Sequence, residues 1–417
     1  MERQLNNPEK GFRVAVVGAG IVGLLCAIGL TRAPNGAKMK VEVFEAAAEF
    51  GEIGAGIGLG PNAIQALKAI GVLDALLEKV PLQPSAFKFR ELSGSGDVIY
   101  EIPARDNDYV ARLYRPVYLD ALVPMLDPAC VHFRKRCLQV TVSTTGCHVI
   151  HFADGTSHET DLVIGADGIR SVCRDFVTNG ENRLAFSGRY AYRGLIPVEA
   201  LKQHKLTVNF DQPNIWLGRN EHVIAYTIKD GELLNFVPVR KESATTSPVD
   251  GPWVRPVSTE EILDKFSSSG EDISTMIKLM ENPVEWALHM VHPSLHTFSR
   301  EKTVLVGDAA HAMLPHMGAG AGQGIEDAVF LSLLLTHPAT DLANIDVVLE
   351  VYNKYRVPRA NGAAARSART GEVYGSYSGN PRSLDYVRDE LRDFVWHHDL
   401  NKDLDEAFAV LGEMRNL

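Results

Sequence analysis

The chain has 417 residues, 45% of them hydrophobic and 23% charged, with a formal net charge of −10. That length supports two or three domains with large cores. The acidic balance argues against a nucleic-acid surface, which needs clustered Lys and Arg. No run of 18 apolar residues is present, so no membrane span is expected. The polar start, Met1 to Gly11, has no apolar signal-peptide core. Five cysteines, Cys26, Cys130, Cys137, Cys147 and Cys173, form no CxxC pair and read as reduced thiols of a cytoplasmic chain.

Taken in chain order, Arg13–Val17 is a short β-branched run suited to a buried strand. It ends in Gly18-Ala19-Gly20-Ile21-Val22-Gly23, and a helical run to Leu30 follows, closed by Pro34-Asn35-Gly36. "KVEVFEA" supplies a second strand and places Glu45 at its end, 22 residues past Gly23. In such a βαβ unit the first glycine makes the turn and the second admits a pyrophosphate to the helix N-terminus. The third lets helix and strand pack closely, and the carboxylate receives ribose hydroxyls. A bare G-x-G-x-x-G is weak evidence; strand, helix, second strand and terminal Glu together predict dinucleotide binding.

"EIGAGIGLGPNAIQAL" (Glu52–Leu67) is a second glycine-rich loop entering a helix, which a plain NAD dehydrogenase does not need at this place. "RLYRPVYLDAL" (Arg112–Leu122) reads as the start of an amphipathic helix, with Arg112 as a surface residue. "TDLVIGADGIRSVCR" (Thr160–Arg174) is a buried strand ending in Asp167-Gly168. From about Phe176 to Phe298 the texture alternates, with β-branched and aromatic residues, as in a mixed or antiparallel sheet. Ser85–Glu101 is expected to add strands to it. A further strand then ends in Gly307-Asp308, and the glycines at 318, 320, 322 and 324 lead into a helix expected near Gln323. Glu326 and Asp327 would sit in its first turn, favourable to the helix dipole and structural in role. The remainder from Asp341 reads as helices, with Val373–Ser383 a loop; Trp396-His397-His398 is not read as a metal site.

The ordered motifs Gly18/Gly20/Gly23, Asp167-Gly168 and Gly307-Asp308 resemble the three fingerprints of the single-component FAD-dependent aromatic hydroxylases. The wording of Glu52–Ala63 and Gly307–Ala328 is similar to the salicylate hydroxylase-like branch, and the resemblance spans roughly Arg13 to Arg359. It implies an α/β fold: a discontinuous Rossmann-like FAD-binding domain (11–80, 101–176 and 299–370), an inserted β-sheet substrate domain (81–100 and 177–298) and a C-terminal helical tail (371–417). No thioredoxin-like third domain is expected.

The resemblance implies non-covalent FAD held by Gly18, Gly20, Gly23, Glu45, Ala55, Gly56, Arg115, Asp167, Asp308, Gly318, Ala319, Gly320 and Ala321. Asp308, expected to be buried, would accept the flavin's hydroxyls, and Arg115 would neutralise pyrophosphate charge. The loop glycines would let bare backbone lie against the flat ring. NADH or NADPH would bind transiently, since no second dinucleotide fingerprint exists. For the substrate, the resemblance points to Arg193 and Tyr226 as phenolate contacts, with Pro315 beside them. His222 lies four residues from Tyr226 and so on the same strand face; it either lines the pocket or serves structure. The implied reaction uses dioxygen through a flavin C4a-hydroperoxide to hydroxylate a small phenolic or salicylate-type substrate, with carbon dioxide lost if attack falls on a carboxyl-bearing carbon. The implied protein is a monomer or homodimer. Two other readings stay open on these residues: a same-fold reductase or epoxidase acting on an isoprenoid or polyene, and a non-enzymatic flavin-binding protein.

Overall fold

The structure is a computed structural model that describes residues 12–33, 39–51, 56–106, 108–181, 183–242 and 252–414. Pro34-Asn35-Gly36 and Glu52–Ala55 lie outside the described residues. A six-stranded sheet runs in the order Ser299–Arg300, Thr303–Leu305, Leu162–Gly165, Phe12–Val17, Met39–Phe44, Val131–His132. Every neighbouring pair is parallel except the first, which is antiparallel. Val14–Val17 are buried on both faces, which is why that strand reads as an unbroken apolar run. The helix Ile21–Arg32 is apolar nearly all round and buried accordingly. It packs on the helix Gly320–Leu335, close enough that a Cβ on Gly29 would lie 2.7 Å from the Cβ of Ser332.

This strand order has a functional consequence. The strands that precede Gly18, Asp167 and Asp308 are adjacent, so three motifs scattered over the chain meet at the carboxyl end of one parallel sheet. That is where open α/β sheets bind ligands.

The second large sheet has eight strands, ordered Val254–Pro256, Glu281–Val291, Leu184–Pro197, Leu233–Lys241, Glu221–Ile228, Asn214–Gly218, Phe87–Glu91, Val98–Ile102. Its pairings are antiparallel except between Asn214–Gly218 and Phe87–Glu91. One face is covered by the helices Thr259–Lys265 and Glu271–Lys278 over a core containing Tyr192, Trp216, Phe236 and Phe266. The other face is left for the cofactor-side elements and the long helix Ile345–Gly375.

Several expectations are corrected. Tyr109–Tyr114 is a strand, paired with Gly56–Leu59 and Gln83–Pro84, and the helix begins only at Arg115. Pro116 sits in the first turn and fixes that start, while its ring disfavours helix upstream. The helix expected near Gln323 starts at Gly320, so Glu326 and Asp327 fall in its second turn, away from the dipole's end. The long helix runs through Pro358 and absorbs Val373–Gly375 from the expected loop. A three-stranded antiparallel sheet, Cys137–Val142, His148–Phe152 and Ser157–Thr160, was not anticipated. Among the described residues no helix is long and apolar enough to cross a membrane.

Candidate cofactor cleft and substrate pocket

At the carboxyl end of the parallel sheet a cleft of about 270 Å³ is lined by Gly18, Gly20, Glu45, Arg136, Asp167 and Arg170, among others. Its glycines divide by physical cause. Gly18 has φ +99°, and a Cβ there would lie 2.5 Å from the carbonyl oxygen of Ala166. A Cβ on Gly23 would lie 1.9 Å from the carbonyl oxygen of Gly18, so the helix can approach the turn only without a side chain. Gly20 differs: nothing stands within 4 Å of where its Cβ would be, so packing does not require a glycine there. Gly20 is the N-cap of Ile21–Arg32 and no side chain caps that helix, which leaves its first-turn amides for an anion. These features fit a pyrophosphate.

Glu45 is half-buried and braces the turn. One carboxylate oxygen accepts from the amide of Ala19 at 2.8 Å, the other from the amide of Ala47 at 2.7 Å. Asp167 accepts from the Ser171 hydroxyl at 2.5 Å and from the amides of Val172 and Cys173 at 2.7 and 3.0 Å, so its carboxylate holds the start of the helix Val172–Val177. Asp308 follows Gly307, which has φ +61°. It is exposed, not buried as expected, and its carboxylate takes no hydrogen bond from the described residues. An exposed acceptor beside an anion-ready helix end suits the hydroxyls of a bound cofactor.

Pro315 and Gly318 are exposed, Gly320 and Ala321 half-buried, and Ala319 buried. Gly318 sits in the left-handed region at φ +60°. The glycines after it do not all face a ligand, as had been expected. A Cβ on Gly324 would meet Val22 at 2.6 Å and one on Gly322 would meet Asn62 at 3.1 Å, so these two serve packing between elements. Gly56 opens the strand Gly56–Leu59, Ala55 lies outside the described residues, and Arg115 opens its helix.

Beneath the loop lies a charge network that sequence reading missed. Arg356, fully buried in the long helix, donates to Glu326 at 2.7 Å and to Asp327 at 2.8 Å. Arg359 donates to Glu326 at 2.9 Å, and Asn62 donates to it at 2.6 Å. Asp327 also receives the amide of Gly307 at 2.9 Å and pairs with His311 at 2.5 Å. Burial alone would raise the Glu326 pKa; Arg356 and Arg359 outweigh it and hold the group at about 2. The network ties Gly307, next to Asp308, to the helix that starts at Gly320.

On the other side of the loop, Glu221–Ile228 presents His222 and Tyr226 on one face. Tyr226 is half-buried under the neighbouring strand: a Cβ on Gly56 would lie 2.8 Å from its hydroxyl and 3.2 Å from Cγ of Asn235. Burial raises the phenol's pKa, and the guanidiniums of Arg193 and Arg112 oppose that rise. Arg193 is half-buried with its guanidinium 5.8 Å from the centre of the Trp286 ring. Arg112, expected at the surface, is 8% exposed and donates to Gln83 at 2.8 Å. His222 is buried, its ring centre 5.1 Å from that of His316 and 5.2 Å from that of Tyr374. Burial, then His316 and Arg189, drives the His222 pKa well below the ordinary value. His316 is pushed down to about 3 by burial and Arg189. Both imidazoles are therefore neutral at ordinary pH. His316 owes its seat to Gly371, where a Cβ would lie 2.3 Å from the ring. Arg112 and His316 are the neighbours that sequence reading did not supply. His397 and His398 take separate partners, Asp108 at 2.7 Å and Asp403 at 2.8 Å.

The comparisons with known proteins agree with this geometry. A family model described as an FAD binding domain matches residues 12–367. The chain is 36% identical to a salicylate hydroxylase of Pseudomonas putida, over 98% of this chain and 97% of that enzyme. It is 32% identical to 6-methylsalicylate 1-monooxygenase of Aspergillus terreus, over 96% and 92%. A solved structure of a salicylate hydroxylase substrate complex superposes with a TM-score of 0.83 at 30% identity, covering 95% of this chain and 98% of that one. The chain belongs to the salicylate hydroxylase-like family of FAD-dependent monooxygenases.

Proposed function

We propose that this enzyme hydroxylates a small phenolic acid of the salicylate type, using NADH or NADPH and dioxygen. The observation that carries the reading is a phenol, Tyr226, that feels the charge of two guanidiniums, Arg193 and Arg112, and shares a strand face with His222, whose ring packs on His316 in the loop after Asp308. FAD, when bound, supplies electron transfer from the nicotinamide and activation of dioxygen. Gly18, Gly20, Gly23 and Glu45 would hold its adenosine and pyrophosphate end, and Arg115 would counter phosphate charge. Asp167 and Asp308 would serve its hydroxyls. The backbone of Gly56, Gly318, Ala319, Gly320 and Ala321 would receive its ring, together with Ala55, which lies outside the described residues. In this assignment residues 11–80, 101–176 and 299–370 serve the cofactor, 81–100 and 177–298 the substrate, and 371–417 form the tail.

Arg193 and Tyr226 orient the substrate's phenolic oxygen, and the positive field favours the phenolate, which enriches the ring carbon to be attacked. His222 and Pro315 complete the pocket wall, and neutral His222 and His316 add no competing charge. The relatives named for salicylate and 6-methylsalicylate support an ortho-hydroxybenzoate. With such a substrate, one oxygen atom enters at the carboxyl-bearing carbon as carbon dioxide leaves. The second oxygen becomes water with the reducing equivalents of the nicotinamide. A screen of hydroxybenzoates for stimulated NADH and NADPH consumption, with products weighed by mass spectrometry, tests the reading. Stimulation by one or more acids with a product of matching mass is expected. Stimulation only by apolar polyenes, or none at all, contradicts it.

A further inference from the structure

Six arginines among the described residues are buried: Arg112, Arg174, Arg189, Arg356, Arg359 and Arg392. Four of them have a carboxylate partner: Arg189 with Glu372, Arg356 with Asp327, Arg359 with Glu326 and Arg392 with Asp108. Arg174 spends its guanidinium on the backbone carbonyls of Ala309 and Ile169, at 3.1 and 2.6 Å. Among the described residues Arg112 has neither, and its one hydrogen-bond partner there is the neutral amide oxygen of Gln83, at 2.8 Å. A guanidinium carries five N–H donors, and a buried cation without a counter-charge is expensive to keep. Burial presses the Arg112 pKa downward, and the one group opposing it among the described residues is the phenol of Tyr226.

Its placement gives the missing partner a location. Arg112 lies on Tyr109–Tyr114, opposite Gly58 of the strand Gly56–Leu59, and Gly56 of that strand covers the Tyr226 hydroxyl. Gln83, from the two-residue strand on the other side of Tyr109–Tyr114, fixes one corner of the guanidinium. The remaining donors form a planar fork of the kind that takes a carboxylate with two parallel bonds. Resting on the function proposed above, we propose that Arg112 is a specificity-determining residue that binds the carboxylate of the aromatic substrate, Gln83 orienting it, while Arg193 and Tyr226 hold the phenolic oxygen. The two guanidiniums then divide two anionic groups of one ring between them.

The test uses the FAD-loaded protein and reads dissociation constants from the change that an aromatic ligand causes in the flavin absorbance spectrum. Salicylate and 3-hydroxybenzoate are the carboxylated probes; phenol and catechol are the probes without a carboxylate. Arg112→Gln is expected to weaken the carboxylated probes by at least about tenfold and to leave the uncharged ones within about threefold, with FAD content unchanged. Arg112→Lys recovers part of the loss. Gln83→Leu, which keeps the charge and removes its brace, weakens the acids severalfold and serves if Arg112→Gln does not hold FAD. Equal loss for both probe classes, or acids bound as in the wild type, overturns the assignment. A loss of FAD in both Arg112→Gln and Gln83→Leu shows that this region serves the cofactor and also overturns it. A wild-type enzyme that hydroxylates uncharged phenols but binds no acid overturns the role of Arg112 and leaves the monooxygenase reading standing. One whose NADH or NADPH consumption no aromatic compound stimulates removes both.

Discussion

Arg356→Met tests whether the buried charge network supports the cofactor loop. The substitution removes the guanidinium from between Glu326 and Asp327 and leaves methionine in a fully buried site. Glu326 keeps Arg359, but Asp327 is left with only His311 and the Gly307 amide. Breaking a buried pair in this way costs about 3–5 kcal/mol. At roughly 2.1 cal/mol/K per residue, a chain of 417 residues unfolds with an entropy near 0.9 kcal/mol/K, so the melting temperature should fall by about 3–6 °C. The double variant Arg356→Met/Asp327→Asn removes one charge of each sign and should be less destabilised than the single one.

The pH dependence gives a second readout. Glu326 is held at about 2, below its usual value of 4.5, so its contribution is complete above 4.5 and is lost as pH falls towards 2. Asp327 shifts in the same direction. Wild type therefore loses stability over that window, while the variant, whose uncompensated carboxylate gains from protonation, loses less. The gap between them should narrow on acidification. Denaturant titration of the FAD-loaded proteins at pH 7 and pH 4 measures both effects. A single variant costing under about 1 kcal/mol, or a double variant less stable than the single, refutes the reasoning.

Asp308→Ala should fold normally and retain FAD about tenfold more weakly, read by flavin remaining after gel filtration; full occupancy contradicts the assignment. Gly20→Ala and Gly324→Ala should separate ligand space from packing space. The first leaves the melting temperature of flavin-free protein unchanged and weakens FAD binding, because its Cβ meets no protein atom. The second, whose Cβ would sit 2.6 Å from Val22, costs about 1–3 kcal/mol in stability. Arg193→Ala and Tyr226→Phe should keep FAD, lower hydroxylation about a hundredfold, and divert NAD(P)H oxidation towards hydrogen peroxide; unchanged product per nicotinamide counts against their role. His222 and His316 have pKa values lowered by burial, so both favour the folded state above about 6.5, and the protein loses about 1.4 kcal/mol per pH unit per such histidine below that. His316→Asn should flatten this part of the stability curve between pH 6.5 and 5.

The cofactor half of the fold was legible because its signals are local. Gly18 and Gly23 are dictated by contacts within one turn, and Glu45 by the end of the next strand. The eight-stranded sheet announced itself through alternation. What sequence did not supply depends on partners far along the chain. Arg112 looked like a surface arginine on a helix because Pro116 was not used to mark the helix start, and its burial comes from strands around Gly58 and Gln83. Glu326 and Asp327 carried a plausible local reason for being acidic, the helix dipole, and that reason concealed Arg356 and Arg359 some thirty residues away. Gly322 and Gly324 likewise looked like ligand glycines until Asn62 and Val22 stood against them. Asp308 was expected to share the burial of the strand it follows, but Ala309 and Ala310 turn inward from the short helix that begins there while the aspartate turns outward.

The most direct test of the function is turnover under ¹⁸O₂ with salicylate and its ring-substituted relatives, NADH and NADPH being supplied in turn. The account predicts a hydroxylated product carrying one labelled oxygen for each nicotinamide oxidised, and carbon dioxide released where the oxygen enters at the carboxyl-bearing carbon. Product oxygen derived from water, or nicotinamide oxidation that no hydroxybenzoate stimulates, would contradict it.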